Sequence, residues 1–250
     1  MNRYLLNLKK IEYVITNACT GNCKHCSEGE HKTTGISIDA NIAVDVLRRV
    51  AEFYPIETVM TFGGEPLLHA DTVCRIHTVA SELGIKKRQI ITNGYFSKNS
   101  QRIQSIAQSI HDSGANDILV SVDAFHAECI PIDYVREFAS SLFRLGACVS
   151  TQPAWLVSRE DDNEYNKITR ELLCEFESIG IKQHDGNIVF PSGRALEFLA
   201  DYFVGDDIPS DPYVEDPYDV QTISIAPDGS VLGGNIYEDD ILDILESYDP

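Results

Sequence analysis

The chain has 250 residues, 20 of them Lys or Arg and 39 Asp or Glu, for a formal net charge of −19. That length suits one or two domains, with a single barrel-sized unit as the first expectation. There is no apolar run of the roughly 18 residues that span a membrane and no signal-peptide pattern at the N-terminus. So acidic a surface also repels phosphate backbones. A cytoplasmic protein with no membrane and no nucleic-acid partner is expected.

Apolar segments with strand character fall at residues 11–16, 58–62, 89–92, 118–122, 148–152 and 187–190. Helical patterns lie between them, over 38–53 after a Ser37 cap, 72–83, 101–113, 132–145 and 164–179; the last four stop at Gly84, Gly114, Gly146 and Gly180. Strands alternating with helices imply right-handed crossovers and a parallel sheet, with functional loops at the carboxyl ends of the strands. Six strands fall short of the eight of a closed barrel, so the expected fold is α/β, a partial (β/α)6 TIM-like barrel.

Residues 201–250 hold fourteen acidic residues and no Lys, Arg or His. Within them, Pro209, Pro212 and Pro217 break any helix over 204–220, which reads as an acidic irregular linker. Such a run is a solvated face or, alternatively, a docking site for a basic partner. Residues 222–226 and 230–232 flank Pro227-Asp228-Gly229 as a hairpin, and a short helix follows over 239–245. The chain is thus expected to divide into a core barrel (1–203), the linker (204–220) and a small C-terminal hairpin-helix appendage (221–250).

Seven cysteines, an odd number without an export signal, argue for free thiols or metal ligands. Cys74, Cys148 and Cys174 lie in apolar patterns that suit buried thiols. Cys19, Cys23 and Cys26 instead crowd the loop after the first strand, at spacings of four and three. Three such thiolates can ligate three irons of a 4Fe-4S cluster and leave the fourth iron open. A structural zinc held by the same cysteines with His25 or His31 is the alternative. At the end of the second strand, Met60-Thr61-Phe62-Gly63-Gly64-Glu65-Pro66 carries paired glycines that permit close backbone approach to a ligand, or form a simple tight turn.

Cys-x3-Cys-x2-Cys after strand one followed by Gly-Gly-Glu-Pro after strand two resembles the radical S-adenosylmethionine (SAM) superfamily. The resemblance implies that Cys19, Cys23 and Cys26 hold one 4Fe-4S cluster and that SAM chelates the remaining iron. Gly63, Gly64 and Glu65 would accept hydrogen bonds from the SAM ammonium, chiefly through backbone carbonyls. His25 stands where the family usually has an aromatic side chain near the adenine. Asn93, Ser121 and Asp123, at the ends of strands three and four, become candidates for the ribose and methionyl carboxylate, against simple loop capping. Reductive cleavage of SAM would yield a 5′-deoxyadenosyl radical that abstracts hydrogen from a substrate. An acidic flavodoxin or ferredoxin would supply the electron, with Lys24 and Lys32 near the cluster to guide it or simply to be solvated.

Residues 123–131 are expected to overhang the substrate cavity. There His126 would position substrate or move a proton and Cys129 would quench a product radical, each against a packing role. Residues 223–236 resemble the hairpin of the SPASM extension of peptide-modifying members, but no cysteine follows Cys174 to hold an auxiliary cluster. The substrate is unidentified, and only the resemblance of this hairpin points to a peptide. The alternatives are the same chemistry on a small-molecule metabolite, or a non-catalytic zinc or iron-sulfur binding protein.

Overall fold

A computed structural model describes residues 2–29, 32, 34–204 and 208–250. His31 and residues 205–207 of the acidic linker lie outside the described residues. In chain order the elements are β1 (Lys10–Val14), α1 (Ala40–Phe53), β2 (Thr58–Phe62), α2 (Ala70–Glu82), β3 (Lys87–Thr92), α3 (Ser100–Asp112) and β4 (Asp117–Ser121). They continue with α4 (Ala124–Ala127), α5 (Ile132–Arg144), β5 (Val149–Gln152), β6 (Ala154–Trp155), α6 (Glu164–Ser178), β7 (Lys182–Gln183), β8 (Asn187–Ile188) and α7 (Arg194–Phe198). The last are β9 (Thr222–Ile225), β10 (Ser230–Val231), β11 (Gly234–Asn235) and α8 (Ile241–Ser247).

Seven parallel strands form one sheet in the order β7-β5-β4-β3-β2-β1-β9, the open partial barrel expected from the strand-helix alternation. Alternation along each strand sorts the side chains into two layers. On β1, Ile11 and Tyr13 are fully buried against the helical layer, where the Tyr13 hydroxyl donates to the Ala43 carbonyl at 3.0 Å. Lys10 and Glu12 face the lumen instead, paired at 2.5 Å. The helices meet the sheet through stripes at i, i+3, i+4, i+7, such as Ala43, Val46, Leu47 and Val50 on α1 and Val135, Phe138, Ala139 and Leu142 on α5.

Helix starts differ from the sequence expectation by a turn or less. Asp39, not Ser37, caps α1, accepting from the amides of Asn41 and Ile42. Pro66 opens a 3-10 turn over Pro66–His69 that runs into α2 two residues before the expected start. Cys148 and Cys174 are exposed and Cys74 is half-buried, so none of the three is the buried thiol that its apolar surroundings suggested.

Two larger differences have backbone causes. The sixth strand, expected over 187–190, is split. β7 pairs with β5, and β8 pairs with β6 in a separate two-stranded ribbon. Pro153 between β5 and β6 has no N–H to donate to the ladder, and Gly186, at φ +81, jogs the partner chain where a side chain would strike the Pro153 carbonyl. At the C-terminus, the expected hairpin closes only at its turn, where the Ala226 amide donates to the Ser230 carbonyl at 3.0 Å, while β9 lies parallel to β1, with Ile223 and Ile225 fully buried and Thr222 and Ser224 facing the lumen. The hairpin forms one turn later, between β10 and β11, across Leu232 and Gly233 at φ 46 and 81. Two consecutive positive φ values are the signature of a two-residue type I′ turn. α8 packs on the barrel through Ile241, Ile244 and Leu245, with Asp240 paired to Arg49 of α1.

Candidate active site

The loop that leaves β1 carries Cys19, Cys23 and Cys26 over the carboxyl ends of the strands, and all three side chains line one cavity of about 670 Å3. The loop is held from two sides. On the β2 side, the amides of Gly64 and Glu65 donate to the carbonyls of Thr16 and Ala18, both at 2.8 Å. A Cβ on Gly64 would lie 2.1 Å from the Ala18 oxygen, and Gly63 adopts φ +128. The paired glycines therefore let the two loops touch, besides lining the cavity. On the opposite side, the amide of Arg194 donates to the Cys26 carbonyl at 2.9 Å and its Nε to the Cys23 carbonyl at 3.2 Å.

The donor set bears on what the loop holds. Among the described residues, the ligating atoms of Cys23, His25 and His126 lie within 4.8 Å of one another. Three thiols on one loop, at spacings of four and three, suit a cubane cluster, which takes each thiolate on a different iron. The donor set and its place on the cavity wall fit the cluster.

Around the sulfurs, the polar groups divide into those that face the cavity and those that brace it. Asn93 faces it, with its Nδ2 3.1 Å from Thr20 Oγ1 and 3.5 Å from Cys19 Sγ. Ser121 and His25 face it as well. Burial pushes the Cys19 thiol up to about 11, against the lowering effect of the Gly21 amide. His25 is held neutral by burial, its pKa lowered to about 4. Its ring lies 4.8 Å from that of Phe125 and 4.9 Å from that of His126, and its Nδ1 is buried without a partner.

Glu65 belongs with the braces. Its carboxylate is fully buried and outside the cavity lining, accepting from Leu67 N at 2.9 Å, Thr92 Oγ1 at 2.6 Å and Asn93 N at 2.8 Å. It ties the end of β2 to the end of β3 and so sets Asn93. Burial raises its pKa to about 7 in spite of these donors.

Asp123 does both, lining the cavity and bracing its wall. Its Oδ1 accepts from the amide and the Nδ1 of His126, both at 2.9 Å, and its Oδ2 from His126 Nδ1 at 2.9 Å and Ala154 N at 3.1 Å. Both oxygens thus have partners within the protein. Burial alone would raise the Asp123 pKa, but the charge and hydrogen bonds of His126 prevail and lower it to about 2. An ionised carboxylate only accepts, so Nδ1 of His126 carries the proton and Nε2 is the nitrogen left for a ligand.

Cys129 is not among the cavity-lining residues. It lies behind the cysteine loop, with its sulfur 3.4 Å from Cys23 Sγ and close to the carbonyls of Phe125 and His126. The hydrogen bond donated to Cys129, and then burial, push the Cys23 thiol well above the usual range in the metal-free chain. Lys24 pairs with Glu128 at 3.0 Å. Gln152, which the sequence reading passed over, lines the cavity with its Oε1 buried and unpartnered. The signal for it was its place at the carboxyl end of a strand, directly before the break at Pro153.

Residues 13–140, just over half of the chain, match the sequence profile of the Radical SAM superfamily. GTP 3′,8-cyclase of Tolumonas auensis is 31% identical over 113 residues, which is 44% of this chain and 31% of that protein. The corresponding enzyme of Vibrio vulnificus is 32% identical over the same length, 44% of this chain and 32% of that protein. The chain thus spans about a third of the length of these curated relatives. Streptococcus suis SuiB bound to the precursor peptide SuiA superimposes with a TM-score of 0.64 at 15% identity, covering 97% of this chain and 65% of SuiB. The anSMEcpe structure with bound AdoMet gives 0.60 at 13% identity, covering 96% and 80%. At these identities the structures speak for the fold, a partial barrel with its loops above the carboxyl ends of the strands. With the profile match running from β1 through the cysteine loop and the Gly-Gly-Glu-Pro turn to α5, the chain belongs to the radical SAM superfamily of enzymes.

Proposed function

We propose that this chain reductively cleaves SAM at a 4Fe-4S cluster held by Cys19, Cys23 and Cys26 and directs the resulting radical onto a peptidyl substrate. The observation that carries the reading is one cavity lined by all three thiols, with the Gly63-Gly64 turn on its wall. When bound, the cluster and SAM supply the electron and the 5′-deoxyadenosyl radical that abstracts hydrogen. The protein's part is to hold, orient and exclude water.

Backbone carbonyls of Gly63 and Gly64 accept from the SAM ammonium in this reading, and Asn93, Ser121 and Gln152 offer polar side chains to the rest of the nucleoside. The neutral His25 ring stands beside the adenine. Glu65 holds Asn93 in place from behind. Asp123 fixes the His126 ring so that its Nε2 can take or give a proton at the substrate. Because Cys129 sits behind Cys23 and off the cavity lining, it has no direct path to a substrate radical.

The lumen's charge narrows the substrate. Its acidic lining residues are Glu12, Glu28, Asp123, Asp211 and Glu215, and its described basic ones are Lys10, already paired to Glu12, with His25 and His126. A triphosphate calls for Arg or Lys forks, so a nucleotide such as that named for the cyclase relatives is disfavoured. SuiB, which shares the fold, is bound to a precursor peptide, and a peptide or an uncharged or cationic metabolite suits this lumen. No helix among the described residues is long and apolar enough to cross a membrane, and we place the protein in the cytoplasm with a flavodoxin or ferredoxin as reductant. Anaerobic incubation of the reconstituted protein with SAM and dithionite tests the reading. It predicts 5′-deoxyadenosine and methionine, and release of neither would reject it.

A further inference from the structure

We propose that Cys23 and Cys129 form a reversible disulfide in the cluster-free chain. The two sulfurs stand 3.4 Å apart, although 106 residues separate them in sequence. A disulfide bond is about 2.05 Å long, so each sulfur need move only about 0.7 Å. The contact is not a chance meeting of mobile loops, because the segments on either side are fastened together. Lys24 pairs with Glu128 at 3.0 Å, and Ile130 Cδ1 packs where a Cβ on Gly21 would lie 3.1 Å away. The one-turn helix α4, held at its start by Asp123, aims Cys129 at the loop.

The oxidant is a small-molecule disulfide such as oxidised glutathione. One cysteine attacks it, forming a mixed disulfide and releasing one thiol; the other cysteine then attacks the mixed disulfide and releases the second thiol. The chain loses two hydrogens, the glutathione gains two, and one S–S bond is broken for the one formed. The consequence rests on the assignment of Cys23 to the cluster. With its sulfur tied to Cys129, Cys23 cannot ligate iron, and two thiols remain where three are needed. The bond also keeps an idle ligand from further, irreversible oxidation to the sulfinic acid, and a thiol reductant returns it to service.

The test uses the whole chain stripped of iron, reduced, desalted and exposed to oxidised glutathione, after which free thiols are alkylated and peptides mapped by mass spectrometry. The expected product is a Cys23–Cys129 linked peptide, two hydrogens lighter than the separate peptides. The oxidised chain is expected to lose uptake of ferrous iron and sulfide and to regain it with dithiothreitol, whereas Cys129→Ser treated with the oxidant yields Cys23 free or as a glutathione mixed disulfide, and no linked peptide. Linkage within Cys19, Cys23 and Cys26, recovery of Cys23 alkylated, or undiminished uptake by the oxidised chain would overturn the proposal. The mapping needs no variant, so it decides even if Cys129→Ser does not fold. Failure of the reduced native chain to bind iron would count against the cluster assignment alone, since the linked peptide is read independently.

Discussion

Replacing Glu65 by Gln tests whether the Gly-Gly-Glu-Pro glutamate works as a brace. In the native chain Oε1 accepts from Leu67 N and Thr92 Oγ1, and Oε2 accepts from Asn93 N. A glutamine carbonyl can keep the first two, but its amide presents N–H to the buried Asn93 N–H. One buried donor left unsatisfied costs roughly 1–3 kcal/mol, so urea unfolding should show that loss, and Glu65→Ala, which orphans all three donors, should cost more. The pH dependence carries a sign. Because burial raises the folded pKa to about 7, the associated stability is fully present below the unfolded value of 4.5 and is lost as pH rises through about 7. Glu65→Gln removes that slope. A displaced Asn93 should also weaken SAM binding, read by calorimetry on the reconstituted protein. A Gln variant as stable as the native chain, with the native pH slope between pH 4.5 and 7, would refute the reasoning.

Gly64→Ala places a Cβ 2.1 Å from the Ala18 oxygen and should displace the cysteine loop; iron content after reconstitution should fall well below that of the native protein. Burial lowers the His126 pKa, and Asp123→Asn removes the charge that, together with its hydrogen bond to the ring and the nearby thiols, holds that pKa above its usual value. An NMR titration of the His126 imidazole should show that pKa falling in the variant, and an unmoved pKa would dismiss the dyad. Lys24→Ala should change stability by no more than about 1 kcal/mol, since its pair with Glu128 is solvent-exposed at both ends; denaturant midpoints check this.

Much of the barrel was legible because its strands and helices are local patterns. The runs of β1 to β4 and the stripes of α1 and α5 declare their period within a dozen residues. Long-range choices were not. β9 looks like the first arm of a hairpin, since Pro227-Asp228-Gly229 follows it directly; its true partner, β1, lies more than 200 residues away, and only burial of Ile223 and Ile225 selects it. The true turn, Leu232-Gly233, places Leu at positive φ, which no propensity suggests.

In the site, the cysteine spacing and the glycine pair stand in the sequence as motifs, but the bracing role of the carboxylates does not. Asp123 reads equally as a ligand contact or a loop cap and Glu65 as a backbone contact, and only the hydrogen-bond partners show that both carboxylates tie neighbouring segments together. The meeting of Cys129 with Cys23 is likewise a product of tertiary packing.

The most direct measurement is anaerobic reconstitution followed by iron and sulfide analysis and electron paramagnetic resonance of the dithionite-reduced protein, with and without SAM. The account predicts about four irons and four sulfides per chain, a reduced-cluster signal that changes on adding SAM, and loss of that signal in Cys23→Ala. Bound zinc in place of iron, or a signal indifferent to SAM, would contradict it.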